Sequence, residues 1–135
     1  MRVGFTGTGK GMTVRQKVGV REAFVALGAT TLHHGDCIGA DAQAHAIARE
    51  LGLRVVTHPG IKKAGAPVNH PARAFCDADE VRPVKPFPDR NTDIVLETAA
   101  LVAAPRQKFE VQRSGTWMTV RRARKFGRPV KIVWP

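Results

Sequence analysis

Tyrosine is absent from the 135 residues, and only two Trp and six Phe supply aromatic rings. The chain therefore lacks the interleaved stacking platform on which many single-strand binders lay successive bases. Cysteine is almost as scarce. Cys37 and Cys76 alone exclude a disulfide framework and make a reducing cytoplasm the expected location. No apolar run approaches the ~20 residues that a bilayer span needs, so no membrane partner is expected. The start, Met1-Arg2-Val3-Gly4-Phe5, reads directly into a strand and not as a signal peptide.

Metal-ligand spacing is missing too. There is no Cys-x-x-Cys and no His-Glu-x-x-His, although His33, His34, Asp36, Cys37 and His45 are dense in ligand types. Adjacent His33 and His34 in a strand would point to opposite faces. Neither a metal nor a cofactor is expected.

Acidic residues are the last shortage: 11 against 22 Lys and Arg leave a net charge of +11. That balance attracts polyanions or phosphorylated ligands. It includes a cluster at Arg121, Arg122, Arg124, Lys125, Arg128 and Lys131. Such a run is either a solvated face or a contact surface for nucleic acid. Charge alone gives non-specific affinity and does not read sequence.

What is present is a regular alternation. Strand-like runs at 2–6, 30–34, 53–57, 99–104 and 129–134 alternate with helical runs at 13–27, 41–51, 89–97 and 115–126. Thr13-x-x-Gln16 has the form of a capping box, and Gly28 and Gly52 are natural helix stops. From Ile61 to Pro88 periodicity fails among Pro67, Pro71, Pro83, Pro86 and Pro88, which reads as a long loop. Five strands alternating with helices predict a single α/β domain over 1–135. Its expected architecture is Rossmann-like, doubly wound and mainly parallel.

In such a sheet the loops after the strands gather at one edge, where ligands bind. Arg113-Ser114-Gly115-Thr116-Trp117-Met118-Thr119 opens the last helix, and its free N–H groups can hold an anion. Ser114, Thr116 and Thr119 add hydroxyls, and Arg113 adds charge. The alternative is a plain helix start with Ser114 as its cap. Gly7-Thr8-Gly9-Lys10-Gly11 follows the first strand but lacks both the Walker A and the dinucleotide spacing. Gly35 and Gly39 would admit a ligand close to the backbone, with Asp36 or Asp41 on a sugar. Asp41 and His45 lie four apart on one helix face. Arg90 reads as a bidentate phosphate clamp, and Asn91 as a base reader or a cap.

These same residues resemble a known family. Gly35-x-x-x-Gly39-x-Asp41-x-x-Ala44-His45 is similar to the glycine-Asp-His signature of the DNA-processing protein DprA (Smf). Phe87-Pro88-x-Arg90-Asn91 resembles its Phe-Pro-x-Arg-Asn segment. Ser114-Gly115-Thr116-x-x-Thr119, with Gly127-Arg128-Pro129-Val130, resembles its later segments. The likeness extends to the SLOG superfamily, Rossmann-like domains that bind nucleotides or nucleic acid and often pair as homodimers. Against the LOG branch, which are phosphoribohydrolases, Thr119 stands where the catalytic Glu would be. A hydroxyl cannot stabilise an oxocarbenium-like sugar as a carboxylate can.

Two functions are then expected. One is a binding module for a nucleotide, another phosphorylated small molecule or single-stranded nucleic acid. There Gly7, Thr8, Gly9, Lys10, Ser114, Gly115 and Thr116 meet phosphate. The other is an N-glycosidic hydrolase or transferase acting on a nucleoside monophosphate, with Asp36 or Asp41 as its catalytic carboxylate.

Overall fold

A computed structural model describes residues 1–66 and 71–135. Pro67, part of the expected long loop, lies outside the described residues. The elements run β1 (Arg2–Gly7), α1 (Val14–Ala26), β2 (Thr31–His34), α2 (Ala40–Glu50), β3 (Arg54–Thr57), β4 (Gly60–Ile61), β5 (Glu80–Val81), β6 (Lys85–Pro86), α3 (Phe87–Leu96), β7 (Ala100–Ala104), α4 (Gly115–Lys125) and β8 (Val130–Ile132).

The main sheet has six strands in the order β5-β3-β2-β1-β7-β8, and every neighbouring pair is parallel. It is the α/β Rossmann-like architecture expected from the alternation. The added strand is β5, in the stretch that carries no periodicity. Two residues at a sheet edge are too few to show an alternation. β4 and β6 form a second small parallel pair in the same stretch.

Parallel strands must be covered on both faces, and here they are. Val3, Phe5, Leu32, Val55 and Val102 point to one face and pack under α1 and α2 with Val20, Phe24, Ala44 and Ile47. Leu101 and Ala103 point to the other, against Ile94 and Val95 of α3 and Trp117, Val120 and Ala123 of α4. Each fully buried large side chain contributes about 1.5–3 kcal/mol. Phe5 and Phe24 meet edge to face with centroids 6.3 Å apart.

The helix ends follow from local chemistry. Thr13 and Gln16 make the full capping box of α1. The buried face of α1 is Gln16, Val20, Ala23 and Phe24, while Val14, Val18 and Val25 stand in solvent. Gln16 is buried because its amide donates to the Pro105 and Val133 carbonyls. Among the described residues no helix is long and apolar enough to cross a membrane.

Candidate functional site

The chain moves from β1 to β2 and β3 on one side, then returns to β7 and β8 on the other. The direction therefore reverses between β1 and β7, and a crevice opens beyond their carboxyl ends. Thr8 N–H donates to Ala104 O across that junction at 3.1 Å. Above it lies a cavity of about 590 Å³.

Three loops and two helix starts converge on this cavity. Gly7, Thr8, Gly9 and Lys10 line it from β1, and Gly35, Cys37 and Asp41 from the β2–α2 turn. Arg90 and Asn91 come from α3, and Ser114, Gly115 and Thr116 from the start of α4. Arg106, Gln107 and Arg113, on the loop from β7 to α4, complete it. Of the residues singled out in sequence, Gly39, Asp36 and Thr119 do not line this cavity.

Each of those three has an internal task. Gly39 sits at φ 86°, and a Cβ there would lie 2.5 Å from Gly9 O. The glycine loop after β1 thus rests directly on the start of α2, where Ala40 N–H donates to Thr8 O at 3.0 Å. Gly39→Ala should cost roughly 2–4 kcal/mol from backbone strain and the displaced loop, read as a lower urea midpoint. Asp36 is buried, and its carboxylate accepts from Arg73 Nε at 3.0 Å and Cys76 N–H at 2.8 Å. It ties the 71–76 segment to the β2–α2 turn. Thr119 Oγ1 donates back to Gly115 O at 2.9 Å within α4.

Arg90 lines the cavity, but its guanidinium is engaged with the protein. Nη1 donates to Gly35 O at 2.7 Å and His58 O at 3.0 Å, and Nε donates to Asn91 Oδ1 at 2.7 Å. Asn91 is thereby oriented with its oxygen toward Arg90, and its Nδ2 donor faces Met118 Sδ at 3.7 Å. Asp41 pairs with Cys37 N–H at 3.2 Å, not with His45. Burial pushes its carboxyl up to about 6, although Arg90 pulls the other way. Burial likewise raises the Cys37 thiol to about 11, so it is no thiolate at neutral pH.

The α4 start has free backbone N–H groups and no acid beside them. Ser114 caps it by accepting from Trp117 N–H at 3.3 Å, and its first turn holds no acidic residue. The positive end of the dipole is uncompensated there, whereas α2 has Asp41 in its first turn. Among the described residues Lys10, Arg106 and Arg113 make no ion pair, while Arg21, Arg49, Arg54, Arg73, Arg82 and Lys85 each do. The basic run on α4 behaves differently from the cavity cations. Arg121 and Arg124 face Glu110, Arg122 donates to Pro88 O and Thr92 Oγ1, and Arg128 donates to the Val95 and Thr98 carbonyls. Much of that charge serves the fold.

Arg106 and Gln107 were not singled out in sequence. They follow Pro105 in a loop without periodicity, and only their place after a strand flagged them.

Two buried groups bring metal-ligating atoms together. His34, His45 and Cys76 form one, and His33, His58 and Glu97 the other. The alternation of β2 puts them on opposite faces of the sheet, as expected. In the first group Asp36 N–H donates to His34 Nδ1 at 3.0 Å. His34 must then carry its proton on Nε2, the atom 2.9 Å from His45 Nδ1, and that nitrogen has no lone pair for a metal. In the second group the Arg82 guanidinium already sits on Glu97 Oε1 at 2.8–3.0 Å. Both groups are thus already engaged in hydrogen bonds or ion pairs within the protein.

No protein-family model matches the sequence, and neither does any curated protein sequence. Solved structures do match in shape. A molybdenum cofactor binding protein from the phototrophic bacterium Rippkaea orientalis superposes with a TM-score of 0.69 at 18% identity, covering 99% of this chain and 76% of that one. DprA from Streptococcus pneumoniae gives 0.66 at 20% identity over 97% of this chain, which spans 49% of DprA. The molybdenum cofactor carrier protein of Chlamydomonas reinhardtii gives 0.63 at 20% identity, covering 99% and 77% of the two chains. The chain thus has a Rossmann-like α/β fold in common with DprA and the molybdenum cofactor proteins.

Proposed function

We infer that the chain is a binding domain for a nucleotide or nucleotide-like phosphorylated ligand, seated at the switch-point cavity. One observation carries the reading. Lys10, Arg106 and Arg113, three cations that make no ion pair among the described residues, border the same cavity as the uncompensated start of α4. Backbone N–H groups there, with three cationic side chains around them, suit a phosphate. The fold neighbours, one a DNA-processing protein and others molybdenum cofactor proteins, are consistent with ligand binding at this fold.

Binding is favoured over hydrolysis by the carboxylate count. Of the acidic residues, Asp41 alone lines the cavity. Asp36, the other candidate acid, is tied to Arg73. A glycosidic hydrolysis that needs two positioned carboxyls has one at hand.

Gly115→Pro is a clean test. Proline suits the first helical position, and the extended Ser114 (φ −136°, ψ 130°) tolerates a following proline. The substitution removes one N–H from the cavity and leaves the helix intact. It should weaken nucleoside monophosphate binding about tenfold in calorimetry, with an unchanged melting temperature of the free protein. Lys10→Ala should act in the same direction and flatten the salt dependence. Wild-type affinity in both variants would remove the phosphate from this end of the cavity.

A further inference from the structure

The cavity has two chemically different ends, and the charge of their side chains separates them. At the α4 end and along the loop the charged groups are all cationic: Lys10, Arg106 and Arg113 stand with the first N–H groups of α4, beside the neutral Ser114, Thr116 and Gln107. At the α2 end sits Asp41, 6% exposed and, among the described residues, the only carboxylate in the lining. The two ends follow β7 and β2, which flank β1 in the sheet. They are two strand spacings apart, on the order of 10 Å.

Asp41 is not used up by the fold. Cys37 N–H donates to its Oδ2 at 3.2 Å, and Gly35 N–H is its other backbone partner. A carboxylate has about four lone-pair positions, so acceptor capacity is left on a group that faces the cavity. Phe87 and Ile94 in the same lining supply apolar surface for a ring. An ionised acid buried against solvent, and not ion-paired, is costly to keep. A ligand that brings two hydrogen-bond donors to it removes that cost.

We propose that Asp41 reads the two-donor edge of guanine, so that the preferred ligand is a guanine nucleotide with its phosphate at α4 and its base against α2. The proposal rests on the phosphate reading above. Guanine alone among the common bases offers two adjacent donors, the ring N1–H and the exocyclic amino group. Adenine and cytosine put an unprotonated ring nitrogen beside their amino group, which faces a carboxylate acceptor to acceptor. Uracil has a single N–H between two carbonyls. Discrimination then comes from repulsion as well as attraction. A bidentate carboxylate contact of this kind distinguishes bases by about tenfold or more.

The test is calorimetric titration of the purified chain at pH 8 with GMP, AMP and ribose 5-phosphate. GMP should bind at least about tenfold more tightly than AMP. Asp41→Asn should weaken GMP by a similar factor, while ribose 5-phosphate, relieved of a nearby negative charge, binds no worse. Equal affinities for all three probes in the wild-type protein would overturn the role of Asp41 and leave the phosphate site standing. That comparison needs no variant and so does not depend on how Asp41→Asn folds. Absence of binding by all three, and by inorganic phosphate, would overturn the phosphate site and this proposal together.

Discussion

Arg90→Ala is expected to destabilise the protein by about 3–5 kcal/mol, seen as a lower urea midpoint and a melting temperature lower by on the order of 10 °C. Arg90 is only 8% exposed and serves three acceptors: the carbonyls of Gly35 and His58 and the Asn91 side chain. Each belongs to a different part of the fold. Gly35 follows β2, His58 follows β3, and Asn91 is on α3. Truncation leaves three acceptors without this partner, at about 1–3 kcal/mol for each group that stays buried and unpaired. It also removes a guanidinium stacked 5.1 Å from the Phe87 ring. Lysine reaches one carbonyl but has no planar fork, so Arg90→Lys should recover only a minor part.

A double-mutant cycle makes the assignment specific. A Cβ on Gly35 would lie 2.4 Å from Arg90 Nη1 and 2.8 Å from Cζ. Gly35→Ala therefore expels the guanidinium and should cost nearly as much as Arg90→Ala. With the arginine gone, much of that clash disappears, so the two losses should be far from additive. Additive losses, or an Arg90→Ala protein of wild-type stability with weaker phosphate affinity, would return Arg90 to the role of a free ligand clamp.

Arg90 also shows where sequence reading runs out. The alternation of strands and helices, the capping box at Thr13 and the cap at Ser114 are local patterns, and the structure has them where the residues place them. The convergence of Lys10, Asp41, Arg90 and Thr116 on one cavity follows from topology, which the alternation implies. Which way a side chain points within that convergence is a matter of long-range partners. Arg90 and Gly35 are 55 positions apart, and nothing in the string Phe87-Pro88-Asp89-Arg90-Asn91 says that the guanidinium turns inward. Asp36 and Arg73 are 37 apart and hide an ion pair in the same way. The valines of α1 are exposed for a similarly long-range reason. A β-branched apolar residue reads as core, yet the face is set by Gln16, whose amide finds two carbonyls more than 80 positions away. Arg106 and Gln107 lie in a segment with no period to read.

Stability should fall as pH drops from 7 to 5, before most carboxylates titrate. Four histidines are buried beside β2 and β3. His33 Nδ1 lies 2.8 Å from His58 Nε2, and His34 and His45 meet on the other face of the sheet. Burial is the leading cause that holds all four below the usual imidazole range. His34, hemmed in further by His45 and His58, falls to about 3. In the unfolded chain each takes up a proton near 6.5. Between that value and the depressed folded ones the unfolded state binds more protons, so stability rises with pH across the interval. It is fully present above about pH 7 and is lost as pH falls, by at most about 2 kcal/mol per histidine at pH 5. Asp41 acts with the opposite sign. Its folded value near 6 exceeds the unfolded one near 3.8, so it favours the folded state at low pH. One carboxyl does not offset several histidines, and the net slope from pH 7 to 5 should be downward. Urea midpoints at pH 8, 7, 6 and 5 would measure it. His34→Gln, which takes one titrating group out of the set, should flatten the profile even where it lowers the midpoint at pH 8. A midpoint constant from pH 8 to 5 would mean that these imidazoles are hydrated in solution and that the two histidine pairs are looser than the 2.8 Å and 2.9 Å contacts require.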